Sequence, residues 1–343
     1  MRLIPTDDQD QLVRAAAEFL GEQLGTELVH RRNDAQVVSA ELWRRTADLG
    51  LLGAGLPEPA GGLGLGLVEE YLVLREVGRI PSPGPFVSTI LAAHVAAASG
   101  DMSLAQSLVT GETRAGLVLP GPARRGDMVT AASGDSAYAL DARPEGLVIM
   151  LARERAALYD TQGLAALDPA PSLDPASTLA RVSMFGAEPL TEVTSGASDI
   201  FARAMVLTAA VLTGVAEGAL AASTQHAKVR EQFGRPIGVN QAVKHRCADM
   251  ALRAEAAAGQ TAFAAAAFEG GRPDAELHAV SALLMAQTAA RENAAANVQL
   301  HGGMGFTAEA DAHLYVKRAE VLTHLLGPRA GLLGRLIELP SPR

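Results

Sequence analysis

The sequence predicts an α+β fold, mainly α, with an N-terminal helical domain, a small central β domain and a C-terminal four-helix bundle. Three observations carry this. Apolar residues recur at three-to-four spacing up to about residue 99, as in "QDQLVRAAAEFLGEQL" and "ELWRRTADLGLLG". Short β-like runs, "AGLVLPG", "SAYALDA", "GLVIMLA" and "STLARVSMF", punctuated by Pro, Gly and Asp, occupy the stretch to about residue 190. From about residue 194 helical spacing returns in longer segments lined with alanine, whose small side chains allow helices to approach closely. Domain boundaries are placed at 1–104, 105–192 and 193–343.

Within the N-terminal domain, the glycines of "LPEPAGGLGLGLVEEYLVLREVG" form a flexible turn before a helix. A glycine cluster there can cradle a phosphate, but no strand precedes this one and no lysine follows Gly66, so a plain connector is expected. In the bundle, Ser198 or Asp199 is expected to cap a first helix that runs to about Gln232. A second follows Asn240, a third follows Pro273, and a fourth spans about residues 308–325, with Glu309 and Asp311 in its first turn at the positive end of the helix dipole.

The chain has 343 residues and a formal charge of -9, with its basic residues scattered, which argues against nucleic acid or an anionic membrane as partner. The apolar run "FARAMVLTAAVLTGVAEGALAAS" is interrupted by Arg203 and Glu217 and consists mostly of alanine, so it reads as a buried helix and not a membrane span. The single cysteine, Cys247, has no intramolecular partner, and no apolar segment follows a basic start; a reducing, cytoplasmic protein is expected, with Cys247 a buried thiol. His301, His313 and His324 lack the spacing of a metal site, and no metal is expected.

Two segments carry the chemistry. In "REQFGRPIGVNQAVKHRCADM", Phe233 and Gly234 are expected to end a helix, Pro236 prevents its continuation and Asn240 can cap the next, which exposes backbone donors beside the Arg230 fork. That arrangement suits a pyrophosphate. In "QLHGGMGFTAEADAHLYVKRA", Gly302 and Gly303 end the third helix and let a diphosphate approach the backbone, while Gln299 offers an amide. For either motif alone, a glycine C-cap with a solvated Arg and a packed Phe is the plain alternative.

The three-part order and these motifs together resemble the acyl-CoA dehydrogenase family, over nearly the whole length. The segment "ELWRRTADLGLLGAGLPEPAGGLGLGLVEEYLVLREVGR" is similar to the family's Pro-Glu turn and Gly-Gly-x-Gly loop; the two C-terminal segments are similar to its Arg-x-x-Phe-Gly and Gln-x-x-Gly-Gly-x-Gly motifs. The resemblance implies that Arg230, Gln232, Phe233, Gln241, Gln299, Gly302 and Gly303 reach across a dimer interface to FAD held mainly by the neighbouring subunit. It also implies a glutamate base at one of two places, and the matching residues here are Leu326 and Ala204, neither of which accepts a proton. The region "GLVLPGPARRGDMVTAASGDSAYALDARPEGLVIML" lacks the family motifs that hold the isoalloxazine and the thioester.

Asp199, Glu217 and Glu309 are the substitute bases to weigh; a cap, a lone carboxylate on an alanine helix and a dipole partner are their plainer roles. The resemblance therefore points to the short, base-lacking subunit of a heterotetrameric acyl-CoA dehydrogenase, of the kind that shortens steroid side chains in bacteria. Its partner would be a second acyl-CoA dehydrogenase-like subunit that binds most of the acyl-CoA. The alternatives are a self-sufficient homo-oligomer with a relocated base, acting on acyl-CoA or on an acyl group held by a carrier protein, and a flavin-free scaffold.

Overall fold

The computed structural model describes residues 4–31, 38–119 and 137–340. Its helical N-terminal part comprises α1 (Asp7–Gln23), α2 (Thr26–His30), α3 (Ala40–Asp48), α4 (Leu67–Arg79), α5 (Phe86–Ser99) and α6 (Met102–Val109). α1 starts with a capping box in which Thr6 and Gln9 satisfy one another's backbone donors. α6, capped by the Asp101 side chain, runs across the boundary placed between residues 104 and 105. The glycine-rich connector is tied down by backbone hydrogen bonds from Leu63 to Gly53, Gly64 to Leu56 and Leu65 to Ala54, and at the start of α4 the Gly66 N–H donates to the Glu69 carboxylate (2.8 Å) and the Val68 N–H to the Glu269 carboxylate (2.7 Å). A carboxylate from the bundle thus occupies the place an anion would take.

The central strands are β1 (Ala115–Val118), β2 (Ala137–Leu140), β3 (Leu147–Ala152), β4 (Arg155–Asp160), β5 (Ala166–Ala170), β6 (Leu179–Ser183) and β7 (Thr191–Val193). They form one sheet in the order β5-β6-β2-β1-β3-β4-β7, with β1 and β3 parallel and the other pairs antiparallel. Inward residues such as Leu117, Leu140, Ile149 and Leu158 join the main core, and Val118, Val148, Tyr159 and Val182 build a second, smaller core on the opposite face.

The C-terminal part begins with α7 (Ala197–Val229), then a small hairpin of β8 (Glu231–Gln232) and β9 (Arg235–Pro236), followed by α8 (Gln241–Glu269), α9 (Ala275–His301), α10 (Ala312–Thr323) and α11 (Arg329–Glu338). α7 is capped by Gly196 in a left-handed conformation and not by Ser198 or Asp199; the Asp199 N–H donates back to the Gly196 carbonyl. It stops at Val229, short of Gln232, because the following residues pair as the hairpin. Asn240 stands at the N-cap of α8 as expected, although its side chain donates to the Ile237 carbonyl and does not cap the helix amides. The helix expected over 308–325 is shorter: Asp311 is its N-cap residue, drawn to Thr26 (2.8 Å) and His30 (2.6 Å) of the N-terminal part, and Glu309 lies outside it. α7 is long and apolar enough to cross a membrane, with 83% of its most apolar window buried inside the protein, which makes it the central rod of the bundle.

The charges that interrupt α7 are paired with α4. Arg203 meets Glu70, which also binds His94 (2.6 Å), and Glu217 accepts from Arg75 (2.8 Å) and Arg79 (2.9 Å). Burial pushes the Glu70 carboxyl up, but His94 and Arg203 outweigh it and hold it below the usual carboxylate range. A depressed folded-state pKa stabilises the fold above the ordinary carboxylate value and loses that contribution as pH falls through the folded value. Replacing Glu70 by Gln leaves Arg203 buried without a counter-charge and is expected to cost about 3–5 kcal/mol near pH 7. Denaturant unfolding should show this gap narrowing as the wild-type carboxylate protonates in acid.

Candidate functional site

The outer end of the bundle gathers the predicted cofactor residues. Arg230 follows the last turn of α7, with its N–H bonded to the His226 carbonyl (2.8 Å). The chain then reverses in a two-residue hairpin turn with Phe233 at φ 54 and Gly234 at φ 76, a geometry in which both central residues are left-handed. Glycine takes that geometry freely; phenylalanine does not. Phe233 is held there while projecting wholly into solvent, at 102% relative exposure. Arg230, Gln232, Gln241, Gln299, Gly302 and Gly303 are exposed as well.

The second segment breaks α9 at Gly302, whose φ of 63 and ψ of -141 suit only glycine. A Cβ at Gly302 or Gly303 would meet nothing within 4 Å, so backbone lies open there. The two segments are neighbours because the last turns of α7 and α9 touch: the His226 and His301 rings stack with centroids 4.0 Å apart. A guanidinium, side-chain amides, an aromatic ring and open glycine backbone on one face fit a diphosphate with an attached heterocycle.

At the opposite end of α7 the arrangement differs. Ala204 is fully buried and Leu326 is 3% exposed, and both belong to the main hydrophobic core. Where the sheet meets the bundle, Val77, Phe86, Leu117, Leu140, Val211, Leu322 and Leu325 line a cavity of about 30 Å³, together with Asp141 and Arg318. That is room for one or two waters. Of the polar groups at its wall, Asp141 accepts from Thr178 N (2.8 Å) and buried Arg318 binds Asp174 (2.8 Å) and the Ser82 carbonyl (3.0 Å), while Arg318 Nε has no hydrogen-bond partner among the described residues. Burial raises the Asp141 carboxyl. Residues 120–136, part of the region lacking the flavin-holding motifs, lie outside the described residues.

The substitute bases are dispersed. Glu217 is committed to Arg75 and Arg79 on the N-terminal side, Asp199 is exposed in the first turn of α7, and Glu309 is exposed with its carboxyl lowered by its own backbone N–H and by Thr307. Cys247 is half-buried and not enclosed, because the face of α8 that carries it is largely open. Among the described residues no group of three or more His, Cys, Asp or Glu side chains converges as a metal site. Sequence reasoning missed the Arg318–Asp174 pair, the cavity it flanks and the histidine stack; the adjacency of His301 to the glycine motif was the one available signal.

Comparisons with known proteins agree with the fold. A model of the acyl-CoA dehydrogenase C-terminal domain matches residues 197–337, and one of the N-terminal domain matches residues 6–110. Acyl-CoA dehydrogenase IpdE2 of Mycobacterium tuberculosis is 32% identical over 97% of this chain and 98% of its own length. Acyl-CoA dehydrogenase FadE34 of the same organism is 35% identical over 88% of this chain, which spans 43% of that protein. Among solved structures, the Tcur3481-Tcur3483 steroid ACAD superposes with a TM-score of 0.79 at 26% identity, covering 97% of each chain.

Two substitutions separate the ends of α7. Phe233→Gly removes an exposed ring from a strained position, so thermal unfolding should be unchanged or stabilised by up to about 1 kcal/mol; a clear loss of stability would show that the ring packs on its own chain. Leu326→Glu forces an unpaired carboxyl into the core and should cost about 3 kcal/mol or more, read as a lower denaturation midpoint at neutral pH.

Proposed function

Because this chain belongs to the acyl-CoA dehydrogenase family, flavoprotein oxidoreductases that act on CH–CH bonds, we propose that it is the base-lacking subunit of such an enzyme. Its role is to complete an FAD site that a second, catalytic acyl-CoA dehydrogenase-like subunit provides. The observation that supports this reading is a contrast: the cofactor-reaching residues stand open at the end of α7, while the two positions that match the family's base, Ala204 and Leu326, are buried in the main hydrophobic core.

The chemistry divides accordingly. The complex oxidises an acyl-CoA to its trans-2-enoyl-CoA, with the catalytic subunit's carboxylate removing the proton next to the thioester. FAD, when bound, accepts the hydride from the next carbon. In this chain, Arg230 supplies a fixed fork of donors for a phosphate oxygen, Gln232, Gln241 and Gln299 supply amides, and the Gly302–Gly303 backbone allows close approach. Phe233 offers a ring face to the cofactor or to the partner that holds it. A steroid-derived acyl group is the substrate class suggested by the steroid ACAD named for two components, with which this chain shares its fold.

The test is purification of the chain alone and after co-expression with a second dehydrogenase-like chain. A colourless chain that becomes a yellow heterotetramer, with one FAD for each pair of unlike subunits, is the expected result. A yellow homo-oligomer whose flavin is bleached by acyl-CoA would overturn it, and a colourless complex would make the chain a flavin-free scaffold. Comparing steroid and straight-chain acyl-CoA thioesters as reductants then settles the substrate class.

A further inference from the structure

The two cofactor-reaching segments come from different helices, and among the described residues no hydrogen bond joins the hairpin at 231–236 to the turn at 302–306. Their mutual register is set one turn back, inside the bundle. There the Ser223 hydroxyl donates to Asn297 Oδ1 (2.8 Å), and His301 Nδ1 bonds the Asn297 carbonyl (2.8 Å), which orients the His301 ring. His226, one turn beyond Ser223 on α7, lies on that ring with an interplanar angle of 27°. His226 directly precedes the turn that ends in Arg230, and His301 directly precedes Gly302.

We propose that His226 and His301 are positioning residues: their stack fixes the Arg230–Phe233 hairpin against the Gly302–Gly303 turn, and protonation of His226 uncouples the two segments. The cofactor part of this inference rests on the function proposed above.

The charges facing the stack favour this behaviour. Arg230 approaches from the end of α7, while the short turns packed against these helix ends, Ile237–Val239 and Gly302–Phe306, carry no titratable side chain. Lys244, near the start of α8, is exposed and adds positive charge at the same end of the bundle. Among the described residues, no acidic side chain is hydrogen-bonded to either ring. Burial, His301 and Arg230 all hold the His226 imidazole below its ordinary value, so His226 is neutral near pH 7. With a folded-state pKa below the unfolded one, the contact is fully present above the ordinary histidine value and is lost as pH falls below it. An imidazolium at His226 then stands beside the Arg230 guanidinium and is repelled by it.

Hydrogen exchange of the full chain, without FAD or partner, tests the contact itself. After correction for the intrinsic pH dependence of exchange, amides of 230–239 and 302–307 should exchange several-fold faster near pH 5.5 than near pH 7.5. His226→Phe keeps a ring in the stack without a titrating group and should stay protected at both values; His226→Ala should be unprotected at both. Wild-type-like pH dependence in His226→Phe, or wild-type protection in His226→Ala, overturns the proposal. The second measurement is FAD release from the co-expressed complex, read as recovered flavin fluorescence. Acid-accelerated release in the wild type, abolished in His226→Phe, supports the positioning role. Identical release in the wild type and both variants overturns the link to the cofactor even where exchange behaves as expected. A complex that never holds FAD overturns the proposed function instead, and the exchange experiment still decides the fate of the stack.

Discussion

The backbones of α4 and α7 touch, and the rest of the structure is arranged around that contact. A Cβ on Gly78 would overlap the carbonyl of Val211, one on Gly214 would overlap the carbonyl of Arg75, and one on Gly218 would overlap the carbonyl of Arg79. Glycine inside a helix costs about 0.5–1 kcal/mol relative to alanine, so three of them across one crossing are a sacrifice of helix propensity for approach. The approach brings many atom pairs to van der Waals range. It also sets the register of the charges: Glu70 meets Arg203 on one side of the crossing, and Arg75 and Arg79 meet Glu217 on the other. Tyr315 of α10 closes over the same place through its hydroxyl, which donates to the Arg79 carbonyl (3.0 Å).

Since α7 is gripped at its middle, its two ends become fixed points. Ala204 and Arg230 are separated by 26 residues of mostly continuous helix, about 40 Å at 1.5 Å per residue. One rod therefore carries both the position where a base would stand and the position where a cofactor's phosphates would be met. Ala204, toward the inner end, is buried in the main hydrophobic core, and the outer end opens to solvent. A buried ion pair is weak evidence for stability. Arg318 is nevertheless fixed beside the cavity, because moving it would break its contacts with both Asp174 and the Ser82 carbonyl.

The fold was largely legible because the bundle helices are long and their alanine faces repeat over many turns. Where tertiary contact decides, the sequence was less informative. β5 contains Asp168 and Pro169, which propensity places in a turn, yet it is the sheet's edge strand, where a missing N–H is harmless. β7 has only three residues and exists through its pairing with β4. The hairpin at Phe233 and Gly234 escaped because its turn lacks the Asn-Gly or Asp-Gly pair that ordinarily marks it. Asp311 reads as a first-turn residue until Thr26 and His30 come within reach from a segment 285 and 281 positions away. The candidate cofactor residues could be picked out by motif; what joins their two segments, a ring stack between helix ends, leaves no local pattern.

The strained turn gives the strongest argument that this outer end faces another molecule. Phe233 bears the cost of a left-handed backbone and receives no packing from its own chain in return. Val229, Val239, Leu252, Met304 and Phe306 are exposed too, on four different elements. A single exposed apolar side chain needs no explanation, and strain alone shows only that the surroundings enforce it. Here they coincide with open glycine backbone and an exposed Arg230 on one end of a bundle whose interior is close-packed. The strain and the apolar exposure are both removed from the cost of the assembly if the ring is buried in an adjoining subunit's cofactor site, where the hairpin's rigidity presents it without further loss of chain entropy.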